Sequence, residues 1–259
     1  LGVLCELYLK HWINCWQKCD RSIGELIILH NYYGDEALKN KFQNYCAEKD
    51  IRYIPRNGAG FDIGAFQDVC KERLKGFPEW DRLLWCTDDT FPMSLNFIHK
   101  FNKRMTEGTG VACMELSPYV RTHIRTTGFM IDKVIAKKLK FPADPIITKK
   151  DCFLFEHRDI KGHFYEQIRK MGLQTCMIAS AEASPLWDVG YHRKLDRYEE
   201  HEKLFGPFVN NTSALTKDEV TFLCPIYNSF PAIISSLFMQ TNPNWKLKLV
   251  HNGPELETP

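Results

Sequence analysis

No apolar run in the chain approaches the ~18 residues that a membrane-spanning helix needs, and no C-x-x-C pair occurs among its ten cysteines. Neither sign of charge is in excess: 34 Lys and Arg stand against 32 Asp and Glu, a formal net charge of +2. The 15 glycines form neither a P-loop nor a G-x-G-x-x-G turn. These absences exclude a helical membrane protein, a zinc ribbon, a bulk nucleic-acid binder and the commonest phosphate-loop enzymes. Enough apolar residues are present (44%) to exclude a disordered chain, and 259 residues suit one large domain or one domain plus part of another. The cysteines are irregularly spaced and sit in apolar runs such as Val3-Leu4-Cys5 and Leu84-Trp85-Cys86. That predicts reduced core thiols rather than a disulfide framework. Cys15 and Cys19 would share one helix face, but no further zinc ligand follows at short spacing. With no signal peptide and no transmembrane segment in view, a cytoplasmic location is expected. The chain begins at Leu1 and ends soon after a new strand signal, which points to a piece of a longer protein.

The first half alternates strand-like and helix-like runs. Strands are expected at 2–7, 25–30, 51–55 and 82–87, and helices at 10–19, 35–48, 62–74 (with Asp62 as N-cap) and 94–105. This βαβαβαβα order predicts an α/β fold, a mostly parallel central sheet with helices on both faces. Beyond residue 108, strands are expected at 111–114, 128–131 and 173–178, and a helix at 164–171. Residues 211–218 read as a linker. From 219 to 259 a strand, a helix and a strand follow, and Leu4-Cys5-Glu6-Leu7-Tyr8 parallels Leu223-Cys224-Pro225-Ile226-Tyr227. The segment therefore reads as the incomplete opening β-α-β of a second domain of the same fold.

Ligands of open parallel sheets bind beyond the carboxyl ends of the strands, so the loops there hold the candidate chemistry. Asp88-Asp89 follows an apolar strand, where paired carboxylates suit Mg²⁺ or Mn²⁺ or else cap the next helix. The segment 56–65 has Gly58, Gly60 and Gly64, with Arg56 and Asp62 placed either to contact a nucleotide or to shape a turn. His192, in a polar and aromatic stretch, is either a metal ligand or a surface residue. Glu156, His157 and Asp159 form either an acid/base cluster or a solvated charged face.

Together these pieces resemble the glycosyltransferases of GT-A fold. The stretch from Val220-Thr-Phe-Leu-Cys-Pro-Ile-Tyr-Asn228 to Gln240-Thr-Asn-Pro-Asn-Trp245 and Val250-His-Asn-Gly253 is similar to the opening of a family 2 glycosyltransferase. Residues 1–210 resemble the rhamnan-synthesis type of polysaccharide enzyme, carried by Asn57-Gly-Ala-Gly-Phe-Asp62-Ile-Gly-Ala65, Thr87-Asp88-Asp89-Thr90 and Thr126-Thr-Gly-Phe-Met130. A strict D-x-D is not present, since Cys86, Thr87 and Thr90 occupy the positions that would complete it. The resemblance implies Mn²⁺ or Mg²⁺ held by Asp88, Asp89 and His192. It implies a UDP- or dTDP-linked sugar donor met by Tyr8, Arg56, Asn57, Asp62 and Asp88. It also implies a base at Glu156, with Asp159 and Asp151 as rivals. The partners so implied are the nucleotide-sugar donor, a glycan acceptor and further glycosyltransferase domains of the same longer chain, with no nucleic acid. The same-fold rival is a sugar nucleotidyltransferase, and a non-catalytic sugar- or nucleotide-binding domain is the third possibility.

Overall fold

The computed structural model describes residues 2–58, 60–118, 120–178, 184–188, 195–207, 220–226 and 245–251. The chain divides into two compact units, Leu1–Phe208 and Val209–Pro259.

The first unit opens with helix α1 (Gly2–Lys18), where the sequence predicts a strand at 2–7. The reason lies further along the helix. Leu9, Trp12, Ile13, Cys15, Trp16 and Cys19 recur at helical spacing and are all buried on one side. The short apolar run before them continues that helix instead of forming a strand. The proposed match between Leu4–Tyr8 and Leu223–Tyr227 fails for the same reason, because the first segment is helical and 223–226 is extended.

A parallel strand pair follows, β1 (Ile27–Asn31) with β2 (Arg52–Arg56), bridged by α2 (Glu36–Glu48), which Asp35 caps through the Leu38 amide. Helix α3 (Phe61–Cys70) starts from Gly60, in the left-handed region at φ 90°. A Cβ there would stand 2.2 Å from the Ile146 carbonyl oxygen, so position 60 admits only glycine. Asp62 is consequently in the first turn and does not cap the helix as predicted.

After α3 come β3 (Arg82–Cys86), the short β4 (Thr90–Pro92), α4 (Phe97–Asn102), β5 (Thr109–Cys113), the ribbon β6 (Leu116–Ser117) and β7 (His123–Ile124), and β8 (Gly128–Asp132). Helices α5 (Lys133–Ala136) and α6 (Lys149–Phe153) follow, with a π-helical turn at Leu154–Arg158. The unit continues with α7 (Phe164–Lys170), β9 (Gln174–Met177), β10 (Leu186–Asp188) and α8 (Leu195–Phe205).

The main sheet has the order β3-β8-β5-β9. β8 lies antiparallel between β3 and β5, and only β5 and β9 pair in parallel. The sheet is therefore mixed, not mostly parallel. The expectation of helices on both faces matches its side-chain alternation. Val111, Cys113, Phe129 and Ile131 point into one core with Ile63 and Phe66 of α3 and Phe164 and Ile168 of α7. Ala112 and Met130, the alternate residues, point into another core with α1 and with Phe97 and Phe101 of α4. Every cysteine whose side chain is described is a free thiol, and most are buried, as the apolar runs predict. No helix among the described residues is long and apolar enough to cross a membrane.

In the second unit, β11 (Val220–Ile226) pairs in parallel with β12 (Trp245–His251), in register from Val220 opposite Trp245 to Ile226 opposite His251. The helix expected between them lies outside the described residues.

Candidate functional site

One end of the main sheet gathers acidic side chains from four separate segments. The antiparallel register sets Cys86, the last residue of β3, opposite Gly128, the first of β8. The residues that leave β3 (Thr87, Asp88, Asp89) and those that enter β8 (Arg125, Thr126) consequently share one edge. Strand β10 pairs with β4 so that Asp188 faces Thr90, next to Asp89. The first turn of α3 brings Asp62, whose carboxylate accepts a 3.1 Å hydrogen bond from the Thr126 hydroxyl. The π-helical turn brings Glu156, which Thr126 also meets through its backbone and side chain. The ring of Phe155 fixes this turn by stacking on Phe141 and Phe164, at 4.7 and 5.3 Å between centroids. Interruptions of this kind often accompany functional sites.

Electrostatics bind these groups into one site. Arg125 donates a 2.9 Å hydrogen bond to Asp188, whose side chain is 1% exposed. Burial pushes Glu156 above the usual carboxylate range, against the pull of His123 and Arg125. Asp62 rises through burial and the nearby charge of Glu156. Asp88, although its residue is exposed at the rim, rises through desolvation and then through Asp89 and Asp62. Asp89 rises through burial and then Asp188, while a 2.7 Å hydrogen bond from the Thr87 hydroxyl opposes the shift. Carboxylates crowded in this way favour either a bound proton or a cation. Asp88 and Asp89 offer hard oxygen donors, the kind that Mg²⁺ and Mn²⁺ take together with substrate phosphates. Asp188 does not join them in a ready-made cage. Among the described residues, the groups with three ligand atoms mutually within 4.8 Å are His123–Glu156–His157 and His11–Cys15–His201.

Of the residues singled out from the sequence, Asp62, Asp88, Asp89 and Glu156 come together. His192 lies outside the described residues. Arg56 is buried at the end of β2, where its guanidinium donates to Asp68 at 2.7 Å and to Asn31 at 2.9 Å, tying the strand to α3. Asn57 is exposed beside it. Tyr8 belongs to α1 and not to a loop after a strand; its ring meets Phe91 edge-on at 5.7 Å. Asp151 is spent in a reciprocal capping box with Thr148 at the start of α6. Asp159 accepts the Lys161 amide at 3.0 Å in the turn after the π-helical residues. Arg125, Asp188 and His123 were not nominated from the sequence. Arg125 and Asp188 are 63 positions apart, and nothing local pairs them. A carboxylate directly after the apolar pair Leu186-Trp187 was the available signal.

Two cavities of about 250 and 240 Å³ open elsewhere, one lined by Glu6, Lys10, Lys41 and Tyr45 and the other by Asp68, Glu72, Trp80 and Lys133. Neither includes the acidic cluster, and the chemistry assigns the site in preference to the hollows.

No family model matches the chain, and no curated protein matches it. Among solved structures, the crystal structure of HddC from Yersinia pseudotuberculosis is similar, at 13% identity and a TM-score of 0.43, over 75% of this chain and 84% of that one. A likeness at that level transfers neither residues nor chemistry.

Proposed function

We propose that the first unit is a glycosyltransferase of GT-A type, moving a sugar from a nucleotide diphosphate-sugar to a glycan acceptor with inversion. The observation that carries this reading is the convergence of Asp62, Asp88, Asp89, Asp188 and Glu156 on one sheet edge around Arg125. Five carboxylates there, four of them pushed upward, form a surface that a cation and an electron-poor sugar centre would complete.

Asp88 and Asp89 are the residues that would hold Mg²⁺ or Mn²⁺, the rest of its shell coming from donor phosphates and water. Such an ion would supply Lewis-acid stabilisation of the leaving diphosphate. Thr87 orients Asp89, and the Arg125–Asp188 pair fixes the wall behind it. Glu156 is the base. Its raised proton affinity brings it closer to the working pH, where a carboxylate removes a hydroxyl proton more effectively. Asp62, bridged to Glu156 by Thr126, keeps that carboxylate in place. Holding donor and acceptor on one edge supplies much of the rate by proximity.

The test is a screen of UDP- and dTDP-sugars with Mn²⁺, read first as thermal stabilisation and then as release of nucleoside diphosphate. Stabilisation with release on addition of an acceptor supports transfer. Consumption of a nucleoside triphosphate with a sugar phosphate instead would reassign the site to nucleotidyl transfer.

A further inference from the structure

Away from the acidic edge, helices α1 and α8 meet through three side chains that can all ligate a metal. His11 and Cys15 lie one turn apart on α1, and His201 comes from α8, 186 residues beyond Cys15. All three are buried. The His11 and His201 Nε2 atoms are 2.7 Å apart, and the Cys15 Sγ lies 3.5 Å from the first and 3.8 Å from the second.

The direction of the lone pairs follows from one hydrogen bond. His201 Nδ1 sits 2.8 Å from the Pro92 carbonyl oxygen, which can only accept. Nδ1 therefore carries the proton, and Nε2 of the neutral ring presents its lone pair to His11 and Cys15. A ligating histidine is usually held by such an outer hydrogen bond. The rings of Phe91 and Phe205 lie 6.0 and 4.9 Å from that of His201, and Phe91 is 5.1 Å from His11. These rings form an apolar shell around the two imidazoles. Neutral imidazole is the ligating form.

We propose that His11, Cys15 and His201 form a site for a thiophilic transition-metal ion of the zinc type, pinning α8 to α1. Tetrahedral zinc with two nitrogens and one sulfur requires N···S edges of roughly 3.5 Å and an N···N edge of roughly 3.3 Å. One N···S separation matches and the other is longer by about 0.3 Å, while the two histidine nitrogens need to part by about 0.6 Å. Two imidazoles and a thiolate select zinc over Mg²⁺ or Mn²⁺, so this site is chemically separate from the acidic one and does not rest on the reading of that one. On binding, Cys15 loses its thiol proton to solvent, and the His11 proton moves from Nε2 to Nδ1. One proton is therefore released per ion. Three protein donors leave one coordination position.

The full chain, stripped of metal with a chelator, should take up one equivalent of Co²⁺ with thiolate-to-cobalt charge-transfer absorption and tetrahedral ligand-field bands. Zn²⁺ should displace the cobalt and, added instead to the metal-free chain, should release one proton per ion and raise the melting temperature. Cys15→Ser, checked for fold by circular dichroism, should lose the charge-transfer band. It should also lose more zinc affinity than the roughly 10- to 100-fold that loss of an outer hydrogen bond costs. Absence of the band and of zinc-driven thermal stabilisation in the unsubstituted protein would overturn the proposal. So would a band of undiminished strength in folded Cys15→Ser, since another cysteine would then be the ligand.

Discussion

Arg125 reaches from the turn before β8 to donate a 2.9 Å hydrogen bond to Asp188 at the end of β10, and that carboxylate is almost wholly enclosed. The pair connects segments 63 residues apart and stands behind Asp89, whose own carboxyl group feels both charges.

Breaking this pair on one side should cost more than removing it. Arg125→Met takes the Arg125 cation from the buried Asp188, for which a loss of about 3 kcal/mol is expected. The double variant Arg125→Met, Asp188→Leu should recover a large part of it, because the buried carboxylate is then removed together with its Arg125 partner. Denaturant unfolding of both variants measures the difference; equal stabilities would show that the pair carries no such charge balance.

Glu156 and Asp151 should separate cleanly. Glu156→Gln is expected to retain donor binding and lose transfer by several hundredfold or more, in the range of ~10²–10⁴ for removing a general base. Asp151→Ala should leave turnover unchanged and slightly weaken α6, since its carboxylate serves the Thr148 capping box. With Glu156 raised above its usual 4.5, transfer should fall off on the acid side at a pH above that value. Single-turnover rates for both variants and a pH profile check these outcomes, and normal transfer by Glu156→Gln would remove Glu156 from the chemistry.

His163 makes part of the stability pH-dependent. Its Nδ1 accepts the Glu166 amide at the start of α7, which only an unprotonated nitrogen can do. Burial, and then Arg121, lowers its proton affinity below the usual 6.5. A histidine whose value is lowered on folding contributes stability that is whole above the unfolded value and is lost as pH falls below it. The unfolding midpoint should therefore drop between pH 7.5 and 5.5, and His163→Asn, a cap that does not titrate, should reduce that drop. An unchanged pH slope in the variant would remove His163 from the effect.

Much of the frame was legible in the sequence. Apolar runs located β1, β2, β3, β5, β8 and β9 to within two residues at either end, because each is a short stretch rich in apolar residues between polar turns. Periodicity placed α2, α3 and α7, although α3 ends earlier than predicted, at Cys70. The direction of β8 was not legible. An antiparallel strand inserted between β3 and β5 has the same apolar alternation as a parallel one, and only its long-range partners distinguish them. The site was half legible. Asp62, Asp88, Asp89 and Glu156 stand out because polar residues follow apolar runs there. Arg125 and Asp188 do not, because their significance is a contact made across the fold. Tyr8, Asp151 and Asp159 lie in the structure where they pack, cap a helix and form a turn.

The most direct test of the account is calorimetric titration of the full chain with UDP- and dTDP-sugars, with and without Mn²⁺, alongside Asp89→Ala. Donor binding is expected to require Mn²⁺ and to be abolished in Asp89→Ala, while the circular dichroism of the variant stays native. Manganese-dependent binding of undiminished affinity in that variant, or no binding of any nucleotide diphosphate by the unsubstituted chain, would contradict it.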